Sequence, residues 1–487
     1  MSAEGILLRP PESPVVDGTE RPQLTTAETA RGMTPATVAE LCTQFMDVCQ
    51  SAVDPLEIAS ALEFEGINDR VAELRYQVAD VFTLAREMYA RVPRAPAEPK
   101  PPPDPWLDTS KFRSALHGLI YGLPAMFFPV AAALLVGPGV LATLVVALLT
   151  GWALSQGLAC IGFLRLGTGG GLQAQWVLRA GLPVGLALVA VAMTAMASAV
   201  QARTAVLLFG AGEGAYMLGA CALLVLGAER WLLLALAPGV LGSAAFLLLG
   251  RPAGAEHLAW SALAATAALA LLMAALMTRH AGQRAGPLLS AAELGAVLGA
   301  MAFGLVAAGL LTFPVVAGPT GHGGINTGAL LASLPLSLSM GAAEWSVLAY
   351  RRRTQYLLRT GQEFATFARK ARVALLAALA RYAAVAIALT AGAVVIAAGT
   401  GLVAKPQRYL PELVAYLVLG FALFLALLLQ ALGLRAVPLT AAAITLGLEL
   451  AFRHYGLAVQ LAGSAVLLAV VGAYAVISVG GVMRHAY

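Results

Sequence analysis

"YRRRTQYLLRTGQEFATFARKAR", residues 350–372, carries seven positive charges and one negative charge, Glu363, within a half-chain that is otherwise almost continuously apolar. A basic island between two apolar runs marks a segment held on one side of a membrane, because Lys and Arg concentrate in the loops that stay inside. Composition agrees: 59% of the residues are hydrophobic and 12% charged, with a mean hydropathy of +0.80, well outside the range of soluble globular domains. The 487 residues have room for about a dozen spans of roughly 20 residues each. The net charge of +5 would suggest nucleic acid in a soluble protein, but the cations sit between apolar segments and point to membrane orientation. No nucleic-acid partner is expected.

Working outward to the amino terminus, residues 1–33 are rich in Pro, Glu and Thr and poor in large apolar groups, so a disordered tail is expected. They hold no apolar stretch of the signal-peptide kind. Residues 34–93 turn helical. "TPATVAELCTQFMDVC" offers Thr34 as a cap, Pro35 at the first helical position, and Val38, Leu41, Phe45 and Val48 at three-to-four spacing. This predicts a small soluble helical domain, followed by a Pro-rich linker over 94–111.

Twelve apolar stretches follow, at about 115–136, 140–164, 180–200, 204–227, 231–250, 256–278, 289–316, 325–349, 382–401, 410–431, 436–452 and 456–480. The fold class expected is an all-α polytopic membrane protein of about twelve transmembrane helices in two six-helix bundles, 112–284 and 285–487, with the amino-terminal helical domain attached. With that domain placed inside, the inner loops carry Arg165, Arg179, Arg230, Arg279, Arg284, the 351–372 group, Arg435 and Arg484. The outer loops carry only Arg203, Arg251, Lys405, Arg408 and Arg453. Both termini are expected in the cytoplasm, with the chain in a bacterial-type inner membrane.

The opening stretch then joins the eighth and ninth spans. Leu357, Phe364, Phe367, Ala368, Ala371 and Leu375 recur at helical spacing, with the cations Arg351, Arg352, Arg353, Arg359, Arg369, Lys370 and Arg372 around them. The expectation is a basic amphipathic helix over 350–375 lying on the inner membrane surface and drawn to membrane lipids. A plain orientation anchor and a grip on an anionic lipid-linked substrate are both open.

An internal repeat is expected from architecture. The first span holds "YGLPAMFFPV" (121–130) and the seventh "LLTFPVVAG" (310–318), and each opens a helical pair that exits on the basic side six spans apart. This plan resembles the multidrug/oligosaccharidyl-lipid/polysaccharide exporter superfamily, which includes MATE transporters and polysaccharide flippases. "SLPLSLSMGAAEWSVLAYRRR" (333–353) is similar to the corresponding region of bacterial exopolysaccharide exporters of that group. The resemblance covers about 112–487. It implies a V-shaped transporter with a cavity between two bundles that moves amphipathic or lipid-linked cargo by alternating access. The amino-terminal domain lies outside that pattern, which leaves room for a cytoplasmic protein partner.

Candidate substrate or coupling residues are the polar groups at membrane depth, where an ionisable side chain must face a cavity or a partner. Glu213 leads, in "FGAGEGAYM", where Gly210, Gly212 and Gly214 allow close backbone approach or local unwinding. Glu293 and Glu344 lie near the inner ends of their helices and Glu449 near the outer end of its own. For these three, reaching the interface or a neighbouring Arg competes with function. Arg381 is either an intramembrane cation or the inner boundary of the ninth span. Gln156 and Asn326 could line a cavity, and Asn326 could instead cap its helix. No P-loop, HExxH or Cys/His cluster is present, and "GTGGG" (167–171) lacks the context of a nucleotide fingerprint and reads as a loop. No cofactor, metal or enzymatic activity is expected. The function expected is a flippase exporting a lipid-linked saccharide or polysaccharide. An ion-coupled small-molecule exporter, a scaffold recruiting a cytoplasmic partner, and a membrane glycosyltransferase or polymerase are the alternatives.

Overall fold

A computed structural model describes residues 37–94, 110–127, 139–250, 254–279, 289–317, 327–361, 363–399 and 406–482, with a few isolated positions between 101 and 135. The expected disordered tail, Thr34, Pro35, Asn326 and most of the Pro-rich linker lie outside these residues. The chain divides into two compact units, one reaching Pro101 and the other running from Pro102 onward.

The first unit is five short helices: α1 (Val38–Gln44), α2 (Met46–Ser51), α3 (Pro55–Phe64), α4 (Asp69–Tyr76) and α5 (Val81–Arg91). Local chemistry sets their starts. Thr37 and Glu40 form a reciprocal capping box on α1, and Asp54, Asn68 and Asp80 accept from backbone N–H groups of the first turns of α3, α4 and α5. The bond from the Thr83 N–H holds the Asp80 carboxyl below its usual range. Leu41, Ile58, Leu62, Leu84 and Met88 form the core. Cys49 is buried among them, and loss of solvation pushes its thiol up to about 11. Because the thiolate is the reactive form, Cys42 and Cys49 should resist a maleimide probe in the folded protein. They should label fully once denaturant opens the unit; rapid labelling of the native chain would mean that this core does not form.

The second unit holds α6 (Ser110–Gly122, continued by a 3₁₀ turn Leu123–Met126), α7 (Val140–Thr168), α8 (Gly170–Val200), α9 (Thr204–Val225), α10 (Glu229–Leu248) and α11 (Glu256–Met277). Then follow α12 (Ala291–Ala317), α13 (Thr327–Arg359), α14 (Phe364–Gly399), α15 (Leu410–Ala431), α16 (Ala436–Ala451) and α17 (Leu457–Ser478). Among the described residues, nine of these helices are long and apolar enough to cross a membrane. The chain is a multi-pass, all-helical membrane protein. The other three occupy expected span positions but are short (α6 and α16) or interrupted by Ser333, Ser337, Ser339, Glu344 and Ser346 (α13).

Two sequence expectations change. "GTGGG" is a corner rather than a loop. Gly170 adopts φ 76° and ψ −174°, a combination essentially restricted to glycine, and α7 passes into α8 without a connecting segment. The two arms then pack against each other through Gly162 with Leu178 and Gly181 with Leu158.

Residues 350–375 are likewise not one surface helix. α13 continues unbroken to Arg359, the chain turns at Gly361 (φ +59°), and α14 starts at Phe364. Most of the apolar seam is already covered: Leu357, Phe367 and Ala371 are buried together beside Tyr356, Leu358 and Val482, while Phe364 at the start of α14 stays exposed. A face packed inside the protein cannot also insert into lipid. At 1.5 Å per residue, the 36 residues of α14 extend about 54 Å, well beyond a hydrocarbon core of about 30 Å. The surplus forms a basic helical hairpin with the end of α13.

The packing repeats. α6 lies against α13 as α12 lies against α7, and α6 meets α10 as α12 meets α16. The pairs α9–α11, α10–α11 and α9–α10 recur as α15–α17, α16–α17 and α15–α16. Glycine contacts of α9 on α7 (Gly151 with Gly214) and on α8 (Gly214 with Val189) match the packing of α15 on α13 and α14. Adding six to each helix number carries these contacts of one half onto those of the other. The internal repeat expected from architecture recurs in these helix contacts.

Candidate functional site

Under that exchange the contacts between halves, α6–α13 and α7–α12, convert into each other. Each is built in the same two ways.

The first is close backbone approach. On α6–α13, a Cβ at Gly118 would stand 2.5 Å from the Leu338 carbonyl oxygen, and one at Gly341 would overlap the Ser114 carbonyl oxygen. On α7–α12, Gly157 receives Met301, and Gly304 receives the Gln156 side chain. Small residues let membrane helices pack where no hydrophobic drive separates protein from lipid.

The second is an ion pair at the end of the interface. His117, buried on α6, places Nδ1 2.7 Å from Oε2 of Glu344 on α13. Its Nε2 is 3.1 Å from Oε1 of Glu229 at the start of α10. With a carboxylate at each nitrogen, both positions call for an N–H donor, which only the imidazolium provides. Arg113 also donates to Glu229 Oε1, from Nη2 at 2.6 Å and Nε at 3.2 Å. On the other interface Arg165 of α7 donates to Glu293 Oε2 of α12 at 3.1 Å. Glu293 also accepts from the Ser290 N–H at 2.8 Å, closing a capping box at the start of α12. Both ion pairs lie on the side that carries the basic hairpin, since they join the start of α6 to the late part of α13 and the end of α7 to the start of α12.

Two of the expected site residues, Glu293 and Glu344, are therefore in cross-half pairs. Gln156 lies on the α7–α12 interface and borders a small recess with Phe303, Gln430 and Arg435. Glu213 stands apart, half-buried mid-way along α9, and its Oε2 has no hydrogen-bond partner. α9 is continuous there, so Gly210 and Gly214 serve close packing against Met193 and Val189 rather than unwinding. Arg381 lies 18 residues from the far end of α14, where a span of about 30 Å ends. Its side chain is half-buried, and its Nε has no hydrogen-bond partner.

Sequence reasoning missed His117 and Glu229. The available signal was an ionisable residue inside an apolar helix, but its partners lie 112 and 227 positions away. Among the described residues, no group of three His, Cys, Asp or Glu side chains gathers as a metal site.

No protein-family model matches the chain. No curated protein matches it. It is similar to a solved outward-facing multidrug resistance MATE family transporter of the MOP superfamily, at 16% identity and a TM-score of 0.49 over 77% of this chain and 96% of that one. It is also similar to a MOP superfamily transporter from Pyrococcus furiosus, at 14% identity and a TM-score of 0.43 over 79% of this chain and 99% of that one. The inward-facing form of a MATE family transporter gives 14% identity and a TM-score of 0.39 over 78% and 94%. All three solved proteins are transporters of the MOP superfamily.

Proposed function

We propose that the chain is a twelve-span alternating-access transporter of the flippase type, exporting a lipid-linked saccharide or polysaccharide across a bacterial-type inner membrane. Both termini and the basic hairpin face the cytoplasm in this reading. The observation that carries it is the pair of exchange-related contacts between the halves, each ending in an ion pair on the basic side. A contact of small residues closed by a few polar links can separate without unpacking either bundle, since each half keeps its own buried core. Rocking of one repeat against the other would open the basic side and close the opposite one.

The anionic, lipid-linked cargo is argued from charge. Arg351, Arg352, Arg353, Arg359, Arg369, Lys370 and Arg372 crowd one hairpin, which suits a diphosphate or uronate group arriving along the inner leaflet. Glu213 is assigned to coupling or cargo contact inside the first bundle. For the amino-terminal unit the proposal is a cytoplasmic protein partner, received on exposed Val53, Leu56 and Phe64.

The test is transport in proteoliposomes carrying a fluorescent polyprenyl-diphosphate saccharide, with a cationic dye as competitor cargo. Saccharide flipping without dye movement is expected. Replacing Arg359, Arg369 and Arg372 together by Gln should cut flipping several-fold, with Lys replacements restoring part of it. Dye transport alone would favour the small-molecule exporter, and unchanged flipping in the Gln variant would remove the hairpin from cargo recognition.

A further inference from the structure

One turn of α13 presents Gly341, Glu344 and Trp345 on a single face, at positions i, i+3 and i+4. Gly341 meets the Ser114 backbone of α6, and Glu344 meets His117. Trp345 holds a different part of the chain. Its indole N–H donates at 3.2 Å to the carbonyl of Pro105, five residues before Ser110 opens α6. Trp345 is 6% exposed, and a buried indole N–H, which can only donate, calls for an acceptor. Next to Pro105, the exposed Asp104 is near enough to Arg381 of α14 for its charge to act on the guanidinium. Arg381 is half-buried with an unpartnered Nε, so an attracting carboxylate offsets part of its lost hydration.

α13 and α14 belong to the second half of the repeat and α6 to the first. The chain that enters α6 therefore rests on the opposite half, on the side that carries the basic hairpin. Its sequence suits such a seat. "PPDP" (102–105) begins and ends in proline, which fixes its own φ, so holding the stretch costs less chain entropy than holding an ordinary linker. Aromatic-lined surfaces take proline-rich segments for the same reason. The two links are one neutral hydrogen bond and one partly screened attraction between charges, and each is weak alone. A contact of that strength releases and re-forms readily.

We propose that Asp104 and Pro105, seated on Arg381 and Trp345, form a releasable clasp that ties the entry of α6 to the second half and holds the basic side closed. The clasp reinforces the Gly341 and Glu344 contacts from outside the helix, because it grips the chain before α6 begins. The first unit ends at Pro101, so a protein that engaged that unit would act on the clasp through the chain itself. The inference rests on the alternating-access reading, since a clasp has a purpose only where two halves part.

The test uses the full chain in lipid nanodiscs, with spin labels at Phe112 of α6 and Val373 of α14, both exposed. The open fraction is read from the population at long distance. Trp345→Phe keeps an aromatic ring and removes the N–H, and it should raise that fraction roughly fivefold, the worth of one hydrogen bond. Asp104→Asn should raise it about twofold, as fits an exposed charge pair. Asp104→Lys turns attraction into repulsion and should exceed Asp104→Asn. Asp104 is exposed, so its variants keep the proposal falsifiable if Trp345→Phe fails to fold. Native distances in Trp345→Phe and Asp104→Lys, alongside longer ones in Glu344→Ala, would overturn the clasp and leave the transport reading standing. Native distances in all three would overturn both. An Asp104→Lys protein no more open than Asp104→Asn would overturn the link to Arg381, and with it the clasp as proposed.

Discussion

Replacing Gly341 by alanine is expected to force α6 away from α13 and to lower transport at least tenfold, with a measurable loss of stability. The added methyl would overlap the Ser114 carbonyl oxygen and lie 2.8 Å from the Gly118 nitrogen and 2.9 Å from its Cα. All three are backbone atoms of a helix, so no rotamer change relieves the contact and one helix must shift. Overpacking of this kind costs about 1–3 kcal/mol. The larger consequence is functional. Glu344 lies three residues beyond Gly341, almost one turn, and displacement of α13 draws its carboxylate away from His117. Gly295→Ala on α12 is the control, because nothing lies within 4 Å of a Cβ there. It should be neutral, or stabilising by up to about 1 kcal/mol through helix propensity. Thermal midpoints and cross-linking of cysteine pairs placed across α6–α13 would report the result. A Gly341→Ala protein with native midpoint and native cross-linking would show that the two backbones do not approach so closely in the membrane.

Nine of the described membrane helices were legible because each is an apolar run of the length a bilayer dictates, and that signal is local. The basic stretch was legible as an orientation mark but not as a hairpin. Leu357, Phe367, Ala371 and Leu375 have the same spacing whether their face meets lipid or another helix, and only the return of α14 beside α13 decides which. The corner at Gly170 was hidden for a related reason, since a glycine cluster reads as a loop until its neighbours are seen to be helical on both sides. The site was legible in part. Glu293 and Glu344 stood out as carboxylates in apolar helices, yet His117, which ties Glu344 to Glu229, gains its meaning only from side chains far away in the chain. Glu449 allowed a reach to the interface. At 1% exposure, with Gly463 of α17 against its Oε1, the carboxyl lies inside the protein.

Opening of the basic side should respond most strongly to loss of Glu344. Among the described residues, Glu344→Ala removes the partner that holds His117 to the second half, while Glu229 continues to satisfy the other ring nitrogen. The first half therefore keeps its local network, and the cost falls on the contact between halves. A hydrogen bond to a charged group is worth about 2 kcal/mol, which shifts a two-state equilibrium by roughly 30-fold. Glu344→Gln should give a smaller shift, since a neutral amide oxygen still accepts from Nδ1 but with about half the strength. Arg165→Met breaks the exchange-related pair and leaves the Ser290–Glu293 capping box intact, unlike any change at Glu293 itself. The two pairs share no partner, so their effects should add within about 0.5 kcal/mol. The combined Arg165→Met, Glu344→Ala protein should rest open on the basic side. Spin-label distances between the starts of α6 and α12, together with water-soluble thiol labelling of a cysteine in place of the buried Ser114, would measure the shift. If the double variant keeps the closed distance and the protected cysteine, the ion pairs are incidental to a contact held by its glycines. If each single variant already opens the protein fully, the two interfaces act as one cooperative joint rather than as two independent latches.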